Sequence, residues 1–256
     1  MHLHFQAYGQ GSPVIILHGL FGSFENWHPV SQRLGERFQV LAVDQRNHGR
    51  SPHSEEMNYP VMAEDIHDLM QSQRLGQAHV IGHSMGGKTA MEFALRHTDR
   101  VDKLIIVDIA PRAYSPHHGQ IFEGLLSLDL GSFQNRAQME EALAPSIPEN
   151  SVRQFLLKNV TRDQAGAFRW KLNLRDILRN YDRITEALAT DRTCCRPALF
   201  IRGGESKYMR DTDWELIARL FPQAESQTIP KANHWVHADA PDLFVRMVLE
   251  FLMRVA

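Results

Sequence analysis

The sequence has few cysteines, no long apolar run and no excess of charge of either sign. Only two of its 256 residues are cysteines, Cys194 and Cys195, and they are adjacent, which excludes a disulfide scaffold. No stretch approaches the roughly 18 apolar residues of a membrane span, and the first residues lack a basic segment followed by an apolar one. With 28 basic and 30 acidic residues, no overall field favours nucleic acid or an anionic membrane. We therefore expect a cytoplasmic protein with neither partner, and a small molecule as its ligand.

The apolar pattern predicts a doubly wound, mostly parallel α/β sheet. Continuous apolar runs are typical of strands buried on both faces, and here they alternate with segments of helical spacing. The predicted strands are 1–8, 13–17, 38–43, 78–81, 101–109, 197–201 and 225–229. The predicted helices that flank them are 26–34, 59–75, 88–95, 211–221 and 241–255.

Strand-like runs disappear between residues 111 and 196, where helical spacing dominates. A chain of this length is near the upper limit for one domain, so an insertion is expected. We predict a core domain of residues 1–110 and 197–256, with residues 111–196 forming a helical lid over one edge of the sheet.

The stretch Gly82-x-Ser84-x-Gly86 joins a predicted strand to a predicted helix. This context is the one in which G-x-S-x-G forms a nucleophile elbow, a turn that exposes its serine at the tip. An ordinary glycine-rich turn is the alternative. We predict that Ser84 is a nucleophile.

A serine nucleophile needs a histidine base oriented by a carboxylate. His234 follows the last predicted strand and fits the chain order Ser, Asp or Glu, His. His237 is the nearest alternative base. The acid is Asp108, at the end of the strand after the elbow helix, or Glu205, in the turn after strand 197–201. We interpret the following histidines as surface or capping residues: His2, His4, His28, His53, His67, His97, His117 and His118.

The oxyanion of a tetrahedral intermediate needs two preorganised donors. We expect one to be the backbone N–H of Met85, which follows the nucleophile, and the other that of Leu20, with Phe21 as the alternative. His18 is expected to hold this loop rather than to take part in the chemistry. This chemistry needs neither a metal nor an organic cofactor.

The motifs together resemble the α/β-hydrolase superfamily, and within it the YbfF-type bacterial esterases. They read His18-Gly19-Leu20-Phe21-Gly22-Ser23, Asp44-Gln45-Arg46-Asn47-His48-Gly49-Arg50-Ser51, Gly82-His83-Ser84-Met85-Gly86-Gly87-Lys88, Val107-Asp108-Ile109-Ala110-Pro111 and Gly203-Gly204-Glu205-Ser206-Lys207-Tyr208. The resemblance implies a serine esterase or thioesterase acting on short- to medium-chain acyl esters, with acyl-CoA as a further candidate substrate. It also supports Asp108 as the acid. Gly204-Glu205 departs from the Gly-Gly-Asn-Ser common in the family, so Glu205 stays open. A C–C bond hydrolase with the same triad and a hydrolase-like ligand receptor are the alternative functions.

Basic residues recur at every fourth position from 171 to 183, and this spacing is typical of a solvated helix face. The alternative is that Lys171, Arg175 and Arg179 receive the phosphates of a CoA thioester. Aromatic residues are the candidates for acyl contacts: Phe21, Phe155 and Trp170. In the loop after the strand 38–43, we expect Asp44 and Arg46 to form an ion pair. The oligomeric state is left open.

Overall fold

The computed structural model describes residues 1–254, and nine strands lie within them. The strands are β1 (Phe5–Tyr8), β2 (Pro13–Leu17), β3 (Gln39–Val43), β4 (Ala78–His83), β5 (Val101–Val107), β6 (Val160–Arg162), β7 (Phe168–Trp170), β8 (Ala198–Gly203) and β9 (Ala224–Ile229). Seven of them form one sheet in the order β1-β3-β2-β4-β5-β8-β9. All neighbours are parallel except the edge strand β1, which pairs antiparallel with β3. The predicted fold class is confirmed.

The α-helices of the described residues are α1 (His28–Leu34), α2 (Tyr59–Ser72), α3 (Met85–Arg96), α4 (Gly119–Ser127), α5 (Arg136–Leu143), α6 (Asn150–Leu157), α7 (Leu174–Arg179), α8 (Tyr181–Thr185), α9 (Trp214–Leu220), α10 (Val236–Asp239) and α11 (Pro241–Leu252). The boundaries follow local signals, since Asn58 caps α2 by accepting a hydrogen bond from Val61 N–H at 3.0 Å. The predicted helix 241–255 ends at Leu252, and residue 255 lies outside the described residues.

The sheet separates two apolar cores because successive side chains of a strand point to opposite faces. In β2, Ile15 and Leu17 join the core that contains helices α2 and α3, whereas Val14 and Ile16 join the core that contains α1 and α11. A strand buried on both faces has no polar positions, which is why these strands read as continuous apolar runs.

The segment between β5 and β8 covers one edge of the sheet. It contains α4 to α8, as the helical spacing predicts, but also the antiparallel hairpin of β6 and β7. Three-residue strands leave too short a period-two pattern to be read from sequence. Side-chain hydrogen bonds connect the segment to the core, from Tyr59 Oη to Ile184 O at 2.6 Å and from Asn159 Nδ2 to Phe21 O at 2.7 Å. The domain boundaries at 110 and 197 stay a prediction.

The expected ion pair between Asp44 and Arg46 is wrong. Arg46 instead pairs with Asp65 of α2, with Nε to Oδ2 at 2.6 Å and Nη2 to Oδ1 at 2.9 Å. Asp44 accepts hydrogen bonds from the backbone N–H groups of Phe24 and Arg50, which fixes the two loops at this end of the sheet. Among residues 1–254, no helix has the length and apolar character needed to cross a bilayer.

Candidate active site

Ser84 lies at the tip of a tight turn between β4 and α3. Its backbone has φ 52° and ψ −118°, a conformation that L-residues with a side chain rarely adopt. Such strain costs about 1–3 kcal/mol and persists only where the surrounding structure enforces it. The turn therefore has the geometry of a nucleophile elbow.

Two glycines allow this turn. A Cβ atom on Gly82 would lie 2.2 Å from the carbonyl oxygen of Gly86, and one on Gly86 would lie 2.4 Å from that of Leu17. Both approaches are closer than any side chain allows, so the strand, the turn and the first turn of α3 can meet only through glycine.

His234 and Asp108 form the central polar contact of the site. His234 Nδ1 lies 2.8 Å from Asp108 Oδ2, and the Asp108 side chain is fully buried. A histidine that donates its Nδ1 proton to a carboxylate keeps Nε2 as an acceptor, which is the tautomer a general base needs. Ser84 and His234 line the same cavity, so the structure brings all three predicted triad residues to one place.

Asp108 is held by two further donors. Gly203 N–H donates to Oδ1 at 3.1 Å, and Ser206 Oγ donates to Oδ2. The Asp108 backbone has a positive φ of 51°, which places a second strained residue in the site. The alternative acid Glu205 is exposed, and its backbone N–H donates to Ala232 O. The geometry thus favours Asp108 over Glu205.

His237, the alternative base, stacks on the buried Trp27 with ring centroids 4.1 Å apart and an interplanar angle of 9°. Burial lowers its pKa to about 3, with a smaller contribution from His234. Within the described residues, its Nδ1 has no hydrogen-bond partner. Nothing orients His237 as a base, and the geometry favours His234.

The loop after β2 contains both candidates for the second oxyanion donor, Leu20 and Phe21. Phe21 N–H lies 3.3 Å from His48 Nε2 and is therefore occupied. The backbone N–H of Leu20 makes no hydrogen bond to another residue in 1–254, and that of Met85, at the first position of α3, has no partner within the helix. Leu20 therefore fits the role better than Phe21.

Two buried histidines keep this loop in place. His18 accepts a hydrogen bond from Gln45 N–H at Nε2 and donates from Nδ1 to Gly19 O, at 3.0 and 2.8 Å. His48 donates from Nδ1 to Arg46 O at 2.9 Å. Burial lowers their pKa values, to about 4 for His18 and about 3 for His48, so both stay neutral at physiological pH.

Ser84 opens into a cavity with mostly apolar walls. Phe21 and Phe155 line it, as the prediction for acyl contacts requires, and Phe155 lies against Trp235 with ring centroids 5.1 Å apart. Apolar walls around one nucleophile suit the hydrocarbon part of a substrate.

The other predicted substrate contacts lie elsewhere. Trp170 and Lys171 line a separate surface depression, where Lys171 Nζ pairs with Glu25 Oε1 at 2.9 Å. Arg175 and Arg179 are exposed on α7, and Arg179 pairs with Asp176 at 2.8 Å. None of Lys171, Arg175 and Arg179 lines the cavity at Ser84. They also do not share one helix face with Arg183, because Lys171 precedes α7 and Asn180 separates α7 from α8.

The structure also places residues in the cavity that the sequence interpretation missed. His118, expected to be a surface or capping residue, lines the cavity beside Ser84, with its Nδ1 2.5 Å from Tyr181 Oη. Its surroundings lower its pKa to about 3, chiefly by desolvation. Tyr208 and Lys88 line a second limb of the same cavity. For Lys88 there was a signal, since it lies four residues after the predicted nucleophile and therefore one helical turn from it.

Comparisons with known proteins identify the family of the chain. A family model described as the alpha/beta hydrolase fold matches residues 12–144. The chain is 40% identical to sn-1-specific diacylglycerol lipase ABHD11 of Danio rerio, over 97% of this chain and 80% of that protein. It is 37% identical to esterase YbfF of Escherichia coli, over 94% of this chain and 93% of that protein. A solved structure of a marine microorganism esterase superposes with a TM-score of 0.95 at 44% identity and covers 98% of this chain and 99% of its own.

The chain belongs to the α/β-hydrolase family. Its full-length relatives within that family carry the names of esterases and of a lipase. The protein is therefore a carboxylic ester hydrolase.

Proposed function

We propose that the protein hydrolyses short- to medium-chain acyl esters through an acyl-enzyme on Ser84. The observation that carries this proposal is the contact of His234 Nδ1 with Asp108 Oδ2, made beside a serine held in a strained elbow. A serine hydroxyl is a poor nucleophile at neutral pH, and this arrangement supplies both the base and the group that orients it.

In the proposed first step, His234 Nε2 takes the Ser84 hydroxyl proton as Oγ attacks the ester carbonyl. The negative charge that develops on the carbonyl oxygen is met by the N–H groups of Leu20 and Met85. Asp108 stabilises the imidazolium without taking its proton. His234 then protonates the leaving alcohol, and the acyl group stays on Ser84.

The second step repeats the first with water as the nucleophile. His234 takes a proton from water, the tetrahedral intermediate collapses, and the acid leaves as Ser84 recovers its proton. Each proton lost by one group is gained by another, so the cycle needs no metal and no redox partner. The apolar walls at Phe155 and Trp235 favour a hydrocarbon chain on the substrate.

Oxygen esters fit the site better than acyl-CoA. The cations expected to bind CoA phosphates, Lys171, Arg175 and Arg179, do not line the cavity, and two of them pair with carboxylates. Hydrolysis of acyl-CoA would thus rest on contacts with the acyl group alone.

The experiment is hydrolysis of p-nitrophenyl esters from acetate to palmitate, beside a matched acyl-CoA series. We expect turnover that disappears in Ser84→Ala and persists in a control, Ser132→Ala, whose serine is exposed on the lid. The optimum should fall at short or medium chains, with thioesters slower. If folded Ser84→Ala protein hydrolysed the esters at the wild-type rate, the mechanism would be refuted. Failure on every ester would favour a C–C hydrolase or a ligand receptor.

We also propose a cytoplasmic location. Cys194 is buried and Cys195 exposed, both with free thiols, and an exposed free thiol is typical of a reducing compartment. Cell fractionation tests this, and recovery in an oxidising compartment would contradict it.

A further inference from the structure

The side chain of Lys88 is buried one helical turn beyond the nucleophile. Its backbone N–H donates to Ser84 O at 3.1 Å, and only 1% of the residue is exposed. Removing an ammonium group from water costs several kcal/mol unless charges or hydrogen bonds replace the water. The groups around Lys88 Nζ therefore show how far the cost of burying its charge is offset.

That compensation is incomplete. Nζ donates one hydrogen bond, to the carbonyl oxygen of Glu186, and lies over the rings of Tyr59 and Tyr114 at 5.0 and 5.4 Å from their centroids. Within residues 1–254, no carboxylate lies within ion-pair distance of Nζ. An ammonium group has three donors, so two remain for another acceptor.

Lys88 lines a limb of the cavity that is distinct from the apolar limb near Phe155. The two limbs share Leu20, Ser84 and His118. A substrate whose carbonyl is at Ser84 can thus extend in two directions, one apolar and one toward the ammonium group.

The tyrosine hydroxyls of this limb already have partners. Tyr59 Oη donates to Ile184 O at 2.6 Å, and Tyr114 Oη donates to Tyr208 O at 2.8 Å. Tyr181 Oη lies 2.5 Å from His118 Nδ1. Among these side chains, Lys88 is the one that keeps unused hydrogen-bond donors.

The titratable and charged groups around Lys88 come from several elements. They are Tyr59 of α2, Arg112, Tyr114, His117 and His118 of the segment after β5, Tyr181 of α8, Glu186 beyond it, and Tyr208. Burial, helped by the nearby charge of Arg112, lowers the pKa of Lys88 to about 7, and Glu186 opposes this. The ammonium form is therefore lost just above neutral pH unless an anion stabilises it.

We propose that Lys88 forms a carboxylate subsite, and that the substrates include short esters with a free carboxylate, such as hemiesters of dicarboxylic acids. A carboxylate would fill the unused donors of Nζ and neutralise its charge, while the tyrosine rings form apolar walls. Ser84 and Lys88 line the same limb of the cavity. A short spacer of about two methylene groups, as in succinate, keeps the ester carbonyl and the carboxylate of one substrate within that limb. This inference rests on the proposed function.

The test compares monomethyl succinate, a hemiester, with dimethyl succinate by methanol release. We expect wild type to favour the hemiester, and Lys88→Met to lower the ratio of kcat/KM for hemiester to diester by about 10- to 150-fold, the range for a hydrogen bond to a charged group. The loss should lie mainly in KM. Lys158→Met, which removes an exposed lysine, should keep the wild-type ratio. In wild type the ratio should fall as pH rises above 7.

A binding measurement separates this inference from the proposed function. Calorimetric titration of Ser84→Ala with butanoate should show binding that the added Lys88→Met change removes. If Lys88→Met keeps the wild-type ratio of kcat/KM for hemiester to diester and hydrolyses esters normally, the subsite is overturned and the proposed function stays intact. Lys88-dependent binding of butanoate without hydrolysis of any ester would support the subsite and overturn the proposed function. If Lys88→Met does not fold, wild-type inhibition decides, and equal inhibition by butanoate and butanamide would refute the subsite.

Discussion

The phenol ring of Tyr208 lies face to face with the imidazole ring of His234, with ring centroids 3.7 Å apart and an interplanar angle of 16°. Tyr208 is itself held, since its Oη lies 2.6 Å from His117 Nε2 and its carbonyl oxygen accepts a hydrogen bond from Tyr114 Oη. Together with Asp108 at Nδ1, this ring fixes the plane of the histidine. Tyr208 is thus a positioning residue for the proposed base.

Two substitutions of Tyr208 distinguish the contribution of its ring from that of its hydroxyl group. Tyr208→Ala removes the stacked ring, and we expect kcat/KM for p-nitrophenyl acetate to fall about 2- to 12-fold, the worth of an aromatic pair. Tyr208→Phe keeps the ring and loses only the contact with His117, so its loss should be smaller. Because the ring acts through His234, the loss should appear in kcat more than in KM. Equal rates for the two variants would contradict this role.

The two candidate acids give opposite predictions. Asp108→Asn removes the acceptor for His234 Nδ1 and favours the wrong tautomer, so we expect kcat to fall by about 10⁴, as in a comparable triad. Glu205→Gln changes an exposed side chain and should leave kcat within about twofold. The measurement is kcat on p-nitrophenyl acetate for both variants, with circular dichroism to verify folding. A larger loss in Glu205→Gln would reverse the assignment.

Much of the site could be predicted because its geometry follows from local patterns. The apolar runs identify the strands, and residues that follow parallel strands meet at one edge of the sheet. Ser84, Asp108 and His234 each follow a strand. In the structure Ser84 and His234 line one cavity, and the buried Asp108 contacts His234 from behind.

The rest depends on contacts between distant segments. His118 enters the cavity because the segment between β5 and β8 packs on the core, and Tyr208, in the loop after β8, contacts Tyr114 and His117 of that segment. No period in the sequence describes that packing. The partner of Arg46 is a similar case, since Asp44 lies two residues away in sequence whereas the observed partner, Asp65, lies on the next helix. Closeness in the sequence is therefore a poor predictor of which residues form a buried ion pair.

The buried pair of Arg46 and Asp65 makes a prediction about stability. Their side chains are 8% and 3% exposed, so Asp65→Asn leaves a buried guanidinium group without its counter-charge. We expect the free energy of unfolding to fall by about 3–5 kcal/mol. Asp68→Asn, which removes a more exposed carboxylate on the same helix, should cost less than about 1 kcal/mol. Urea denaturation measures both, and equal losses would show that the pair contributes no more than a surface contact.

Buried histidines predict that the protein loses stability in acid. Burial lowers the pKa to about 4 for His18 and about 3 for His48 and His237, and well below the usual value for His83. In the unfolded chain these imidazoles titrate near about 6.5 and take up protons that the folded protein excludes. Their contribution is therefore complete above about pH 6.5 and is lost as pH falls toward their folded pKa values.

Each such histidine lowers the free energy of unfolding by about 1.4 kcal/mol per pH unit once the unfolded chain is protonated. Four of them acting together would consume much of a typical stability of about 5–15 kcal/mol, so we expect unfolding near pH 5. Urea denaturation between pH 8 and 5 measures the slope. His237→Phe, which can keep the stack on Trp27, should reduce the slope by the equivalent of about one bound proton. A stability that stays constant from pH 7 to pH 5.5 would show that these histidines accept protons in the folded state, because only then would folded and unfolded chains bind the same number.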